Sequence, residues 1–66
     1  MFTLKQARML AGYSQERMAE LLDVSTVTYY RYEKQPSKMS VLMAAKAERE
    51  LKCEIDFGTR EELEND

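Results

Sequence analysis

The sequence has no histidine and no tryptophan, and it contains only one cysteine, one proline and two glycines in 66 residues. A single cysteine without histidine cannot form a disulfide within the chain or a zinc site of the usual cysteine and histidine type. There is no paired nucleophile and base and no glycine-rich phosphate loop, so we expect no enzymatic activity, cofactor or small-molecule ligand. A chain this short forms one domain at most and buries only about 60% of its unfolded surface. Packed helices must therefore supply the stability.

Long apolar runs are also missing. No segment approaches the roughly 20 apolar residues of a membrane span, and Lys5 and Arg8 stand where a signal peptide would need an apolar run. We therefore expect a reduced, intracellular protein without a membrane partner. In such a protein Cys53 is expected to be a small apolar residue near the edge of the core, with a reactive or intermolecular thiol as the alternative.

The net charge of −2 is unevenly distributed along the chain. Residues 1–52 contain nine basic and six acidic residues, a net charge of +3, whereas residues 53–66 contain one basic and six acidic residues, a net charge of −5. A basic body with an acidic end is typical of a DNA-binding fold with a solvated or regulatory tail, and a chance distribution is the alternative. We divide the chain into a domain over residues 1–58 and an acidic tail over residues 59–66.

Apolar residues recur at helical spacing in four segments, which predicts helices over about residues 4–11, 15–22, 26–33 and 39–52. Thr3 and Gln6 have the spacing of a capping box at the first helix, and Gly12 can end it. Ser14 can cap the second helix. Ser37, which follows the only proline, can cap the fourth. The predicted fold class is all-α, with four or five helices.

The third segment is the difficult one, because residues 25–32 are rich in β-branched and aromatic side chains that favour strands. A lone strand between helices would have no partner in so short a chain and could not satisfy its backbone groups. We therefore predict a helix there, with Ser25 as its cap. Residues 54–57 alternate apolar and acidic side chains, which predicts a short strand or an extended segment returning to the core.

The most informative pattern extends from Gln15 to Lys34. Ala19, four residues after Gln15, is small enough for two helices to cross closely. Asp23 then lies where a tight turn often needs positive φ, a conformation that aspartate tolerates. Four residues of this region are expected to close a small core beneath the turn: Leu22, Val24, Tyr29 and Tyr32. This spacing predicts a helix-turn-helix.

The stretch AGYSQERMAELLDVSTVTYYRYEKQPSKMS resembles the Cro/CI-type (XRE) helix-turn-helix repressor family, especially its small phage and mobile-element members. The positions that match the family's spacing are Ser14-Gln15, Met18-Ala19, Val24-Ser25 and Tyr32-Glu33, followed by Pro36. The resemblance covers about residues 3–57. It implies a lambda-repressor-like DNA-binding domain in the cytoplasm of a bacterium, encoded by the bacterium or a phage.

Three positions depart from the family pattern. The family usually has glycine where Asp23 stands, an aliphatic residue where Tyr29 stands and glycine near Gln35. Tyr29 fits the core if its hydroxyl reaches water. These departures bear on the tilt of the third helix.

The resemblance also implies which residues meet DNA. It places four positions against base edges, occupied here by Thr26, Val27, Tyr30 and Arg31. Arg31 can donate two hydrogen bonds to guanine and Val27 can pack on a thymine methyl group. Thr26 can bond to a base or a phosphate, and Tyr30 can reach a phosphate or the groove wall. The alternatives are a solvated helix start for Thr26 and Val27, and surface packing for Tyr30.

The phosphate backbone is expected to meet a second group of residues: Ser14, Gln15, Ser25, Thr28, Lys34 and Lys38. The family pairs the glutamate at Glu33 inside the domain, and here Arg17 is the expected partner.

These features predict a sequence-specific regulator of transcription that binds double-stranded DNA, a repressor acting as a dimer on a palindromic operator. The dimer contact is expected to involve the outer face of the fourth helix and the segment that follows it: Glu54, Ile55, Asp56 and Phe57. The alternative is a protein-interaction module, antitoxin-like or repressor-modulating, that uses the same scaffold and contacts its partner through the acidic tail.

Overall fold

Four α-helices joined by short connections make up residues 1–58, the part of the chain that the structure, a computed structural model, describes. They are α1 (Leu4–Ala11), α2 (Gln15–Leu22), α3 (Thr26–Lys34) and α4 (Val41–Leu51), with one 3-10 turn at Pro36–Lys38. The predicted all-α class is confirmed, and α1 and α2 occupy the predicted residues. The predicted acidic tail, 59–66, lies outside the described residues. None of the helices within 1–58 has the length and apolar character needed to cross a membrane.

Each α-helix begins at a hydroxyl side chain that accepts a hydrogen bond from the backbone N–H three residues on. The cap residues are Thr3, Ser14, Ser25 and Ser40. The prediction that α4 begins near Met39 with Ser37 as its cap is wrong. Pro36 instead starts the 3-10 turn, in which the Met39 N–H donates to the Pro36 carbonyl over 3.1 Å. The fourth helix therefore begins two residues later than predicted.

The core lies between the helices and receives side chains from all four of them. Its buried members are Leu4, Ala7, Met18, Ala19, Leu22, Tyr29, Met39, Ala47, Leu51 and Ile55. Both α3 and α4 pack on α1 and α2. Val41 and Leu42, which the apolar pattern of the fourth helix included, do not join the core and are 85% and 83% exposed. The first turn of α4 therefore presents apolar surface to solvent.

The segment after α4 returns to the start of the chain. Ile55 is buried and forms an isolated parallel bridge with Phe2, and the Asp56 N–H donates to the Phe2 carbonyl over 2.8 Å. The Ile55 N–H donates to a carboxylate oxygen of Glu48 over 2.9 Å. Cys53 is a partly buried free thiol packed against the core. The predicted extended return to the core is confirmed, and it ties the two ends of the described domain together.

Candidate nucleic-acid interface

The turn between α2 and α3 sets the angle between these two helices. Asp23 has φ 59° and ψ 46°, the left-handed conformation that the sequence predicts for it. The Val24 N–H bonds to the Ala19 carbonyl over 3.0 Å, and Ala19 is only 2% exposed. A larger residue than alanine would push the two helices apart. The Ser25 side chain then caps α3 and begins the helix immediately after the turn.

Four side chains fix the inner side of α3 to α1 and α2, and we call them the Glu33 cluster: Arg8, Gln15, Tyr29 and Glu33. Arg8 Nε and the Tyr29 hydroxyl each donate to Glu33 Oε2 over 2.6 Å, and Gln15 Nε2 donates to Glu33 Oε1 over 2.9 Å. Arg8 Nη1 also donates to the Tyr13 carbonyl over 2.8 Å. One carboxylate therefore joins all three helices of the amino-terminal part of the domain.

The hydrogen bonds of the Glu33 cluster compensate for the burial of its charged groups. Burial alone would raise the pKa of Glu33, but the hydrogen bonds from Arg8, Tyr29 and Gln15 outweigh it and hold that pKa below its ordinary value. Burial, and then the bond to Glu33, raises the pKa of Tyr29. The cluster is thus a carboxylate–guanidinium pair with a neutral phenol at neutral pH.

Two predictions about this region are wrong. Arg17 does not pair with Glu33, because it lies on the exposed side of α2, where Nη1 meets Glu20 Oε1 at 3.1 Å. The partner is Arg8, whose side chain is 11% exposed against 6% for Glu33. The Tyr29 hydroxyl does not reach water, because the residue is fully buried and the phenol donates to Glu33 instead. Glu33 is nevertheless a structural residue inside the domain, as expected.

The opposite side of α3 faces solvent. We define the outer face of α3 by its four exposed residues: Val27, Tyr30, Arg31 and Lys34. The exposed fraction is 60% for Val27 and 37% for Tyr30. Thr26, the other residue that the resemblance places against bases, is partly buried at the start of the helix. The face combines one aliphatic, one aromatic and two cationic side chains, and its hydrogen-bond donors are those that read guanine edges and phosphates.

The residues predicted to meet phosphates lie at the start of α2, on α3 and its cap, and in the turn that follows α3. Ser14 and Ser25 are helix caps, and Ser25 Oγ also donates to Thr28 Oγ1 over 3.0 Å. Lys38 is exposed in the 3-10 turn that follows α3. Gln15 Nε2 uses one N–H for Glu33, and its other N–H stays available for an acceptor. The phosphate-contact assignments stay predictions.

The outer face of α3 makes one contact that the sequence pattern does not predict. The Tyr30 hydroxyl donates to Glu16 Oε2 over 2.8 Å, which links the outer face of α3 to the first turn of α2. This bond raises the pKa of Tyr30 and, together with the backbone N–H of Glu16, lowers the pKa of Glu16. The two residues are 14 positions apart, so no helical spacing could have indicated the pair.

A protein-family model described as helix-turn-helix matches residues 4–57, which is most of the chain. The matched range includes all four helices and the extended segment after α4. Comparison with curated proteins and with solved structures finds no significant match in either set.

Proposed function

We propose that this chain, which belongs to the XRE-type helix-turn-helix family of DNA-binding transcription regulators, binds a palindromic operator as a dimer and represses transcription by occupying it. The observation that carries the proposal is the outer face of α3, which presents Val27, Tyr30, Arg31 and Lys34 to solvent while Tyr29 and Glu33 bind the opposite side to the rest of the domain. A helix fixed in this way can enter the major groove without losing its place in the domain.

Arg31 is proposed as the main base reader. Its guanidinium can donate two parallel hydrogen bonds to guanine O6 and N7, which is the commonest specific contact in the major groove. Val27 would contact a thymine methyl group and Thr26 a base or a phosphate. Lys34 and Lys38, at the end of α3 and in the following turn, would bind phosphates and fix the register of the helix.

The test is selection of bound sites from random double-stranded DNA, followed by binding measurements on the recovered site at several salt concentrations. We expect a motif with two-fold symmetry. Arg31→Ala should cost about 1–3 kcal/mol on the recovered site and relax the preference at one base pair of each half-site. Lys38→Ala should weaken binding to all sequences alike and reduce the salt slope by about one.

Arg49→Ala is the matched control for Arg31→Ala, because Arg49 is exposed on α4 and carries the same charge. It should leave the recovered motif unchanged. Equal losses on operator and random DNA for Arg31→Ala would contradict its role as a base reader.

A dimer is proposed because one domain with a single nine-residue reading helix contacts few base pairs. Two copies related by a two-fold axis would read half-sites about 34–36 Å apart. The proposed contact is the first turn of α4, where Val41 and Leu42 are exposed, together with the partly buried Phe57. The predicted contribution of Ile55 is withdrawn, because this side chain is buried inside its own domain. Glu54 and Asp56 are exposed and would border the contact.

Molar mass in solution, measured by light scattering over a range of concentrations, tests the dimer. Leu42→Lys should shift the equilibrium to monomer and weaken operator binding. Leu10→Lys is the matched control, because Leu10 is 68% exposed on α1 and the change is the same. A monomeric wild-type chain that still recovers a symmetric site would place dimer formation on the DNA and not in free solution.

The repressor role is tested with a reporter gene whose promoter overlaps the recovered site. Expression of the wild-type chain should lower the reporter signal, and Arg31→Ala should restore it. A rise in the reporter signal with the wild-type chain would indicate activation and contradict repression.

The second candidate is a protein-interaction module, and one observation favours it. Three residues of α1, Gln6, Met9 and Leu10, line an open apolar groove together with Phe2, and Met9 is 60% exposed. Absence of DNA binding at low salt, combined with a purified protein partner whose binding is abolished by Leu10→Lys, would favour this function over the first.

A further inference from the structure

The bond between Tyr30 and Glu16 lies at the surface and outside the buried core. Both residues are exposed, and neither belongs to the core or to the Glu33 cluster. Within residues 1–58, this bond is the one side-chain hydrogen bond that joins the outer face of α3 to another helix. It therefore lies at the surface that the proposed function assigns to DNA.

The bond places a carboxylate beside the reading residues. On a helix with 3.6 residues per turn, Tyr30 lies one turn from Thr26 and one turn from Lys34, on the side of the outer face nearest to Glu33. Its hydroxyl crosses from there to Glu16 in the first turn of α2. The carboxylate of Glu16 thus lies beside the outer face of α3, where the hydrogen bond from Tyr30 holds it.

The carboxylate is ionised and its hydrogen-bonding capacity is not exhausted. The bonds from Tyr30 and from its own backbone N–H keep the pKa of Glu16 below its ordinary value. The Tyr30 hydroxyl donates to Oε2, and no second side chain within residues 1–58 donates to this carboxylate. An ionised carboxylate has acceptor sites on both oxygens.

A fixed negative charge at a DNA-binding surface has few favourable partners. It is repelled by phosphates, and in the major groove it meets a donor only at the amino groups of cytosine N4 and adenine N6. Thymine and guanine present acceptors in the major groove, which would face the carboxylate unfavourably. The charge therefore favours some base pairs and disfavours others.

We propose that Glu16 is a specificity-determining residue of the DNA interface, held by the Tyr30 hydroxyl so that its carboxylate accepts a hydrogen bond from an exocyclic base amino group. Tyr30 is then a positioning residue and not itself a base reader. This proposal rests on the proposed function, because it needs the outer face of α3 to lie in the major groove.

The experiment compares selected sites and binding constants for Glu16→Ala, Glu20→Ala and Tyr30→Phe with those of the wild-type chain. Glu20 is the matched control, since it lies one turn further along α2, is exposed and carries the same charge. The wild-type chain should select cytosine or adenine at one position of each half-site. Glu16→Ala should reduce that preference by about tenfold, a typical value for one base contact.

The Glu20→Ala control separates the effect of a base contact from the effect of net charge. Glu16→Ala and Glu20→Ala should tighten binding to random DNA to a similar extent, because each removes one negative charge. Only Glu16→Ala should alter the motif. Tyr30→Phe keeps the ring and removes the donor, so it should reduce the same preference by a smaller factor, about threefold. Thermal unfolding of each variant shows that the fold is retained.

The outcomes distinguish this inference from the proposed function. A wild-type chain that selects no site from random DNA overturns both. A selected motif that stays the same in Glu16→Ala overturns only the role of Glu16. Loss of the preference in Glu16→Ala but not in Tyr30→Phe overturns the positioning role of Tyr30.

Discussion

Glu33 links α3 to two other helices through a single carboxylate. Its two carboxylate oxygens receive three side-chain hydrogen bonds, from Arg8, Gln15 and Tyr29. A buried pair of charges stabilises a protein only when such additional bonds satisfy its remaining hydrogen-bonding groups, and removing one partner leaves the other uncompensated. The cluster therefore adds, to the apolar packing of Tyr29 in the core, a polar contact of α3 with α1 and α2 that depends on a single carboxylate.

Glu33→Gln should lower the free energy of unfolding by about 3 kcal/mol at pH 7, because Arg8 and Tyr29 lose their charged acceptor. The pKa of Glu33 is depressed in the folded protein, so its contribution is fully present above the unfolded value near 4.5 and is lost as pH falls through the folded pKa. The difference between wild type and variant should therefore shrink at low pH. Urea unfolding followed by circular dichroism between pH 7 and pH 3 measures it.

Glu20→Gln is the control for this experiment, because the pair of Glu20 with Arg17 is largely exposed. Its effect should stay below about 1 kcal/mol. A loss for Glu33→Gln that does not change between pH 7 and pH 3 would show that the charge of the carboxylate is not what stabilises the cluster.

Lys52 has a backbone conformation that is unfavourable for a residue with a Cβ atom. It ends α4 with φ 56° and ψ 39°, a left-handed conformation that costs a residue with a Cβ roughly 1–2 kcal/mol. Lys52→Gly should therefore raise the free energy of unfolding by about 1 kcal/mol. Thermal unfolding should show a melting temperature about 4–8 °C higher for a domain of this size.

Gly12→Ala provides the opposite test at the end of α1. Gly12 has φ 80°, and a Cβ placed there would meet no atom within 4 Å. The expected loss of about 1 kcal/mol therefore comes from the backbone conformation alone. Stabilisation by Gly12→Ala, or destabilisation by Lys52→Gly, would refute the argument from φ.

At the scale of the elements, α3 is where local propensity and the final fold disagree. Its residues favour a strand, yet Ser25 caps a helix and Tyr29 fills the centre of the core from it. The helix could be predicted because the chain offers no partner strand. The pairing of Glu33 could not be assigned, because Arg8 is 25 positions away and only the packing of α1 against α3 brings the two together.

The start of α4 also differs from the sequence prediction. The sequence prediction named Ser37, next to Pro36, as the cap, and Ser40 has the same hydroxyl chemistry. The structure selects Ser40, because the proline begins a separate 3-10 turn that uses the Met39 N–H. Helix bounds near a proline depend on such turns, which apolar periodicity does not reveal.

Ser40→Ala should cost about 1 kcal/mol, because the Met43 N–H loses the hydroxyl that accepts it over 3.1 Å. Ser37→Ala removes the same hydroxyl from the 3-10 turn, where no side-chain cap bond exists, and should change stability by less than about 0.5 kcal/mol. Denaturant midpoints of the two variants measure the difference. An equal cost for both, or a larger cost for Ser37→Ala, would place the cap of α4 at Ser37.

At the scale of the whole molecule, the distribution of charge separates the folded domain from the end of the chain. Residues 1–58 contain nine basic and eight acidic residues, a net charge of +1, and residues 59–66 contain one basic and four acidic residues, a net charge of −3. The domain that carries the outer face of α3 is thus slightly cationic, whereas the full chain is anionic. Non-specific attraction to DNA depends on the total field of the protein and should be weakened by these last eight residues.

Truncation after Gly58 tests this effect of the tail directly. The shortened chain should keep its melting temperature, because every residue of the described core precedes Gly58. It should bind random DNA more tightly at low salt, since the net charge rises from −2 to +1, and the gain should vanish as salt screens the field. Neutralising the tail by replacing Glu61, Glu62 and Glu64 with glutamine, without shortening it, should give the same gain. If the truncated chain binds random DNA more tightly than this neutralised chain at high salt, the tail acts by steric exclusion and not by its charge.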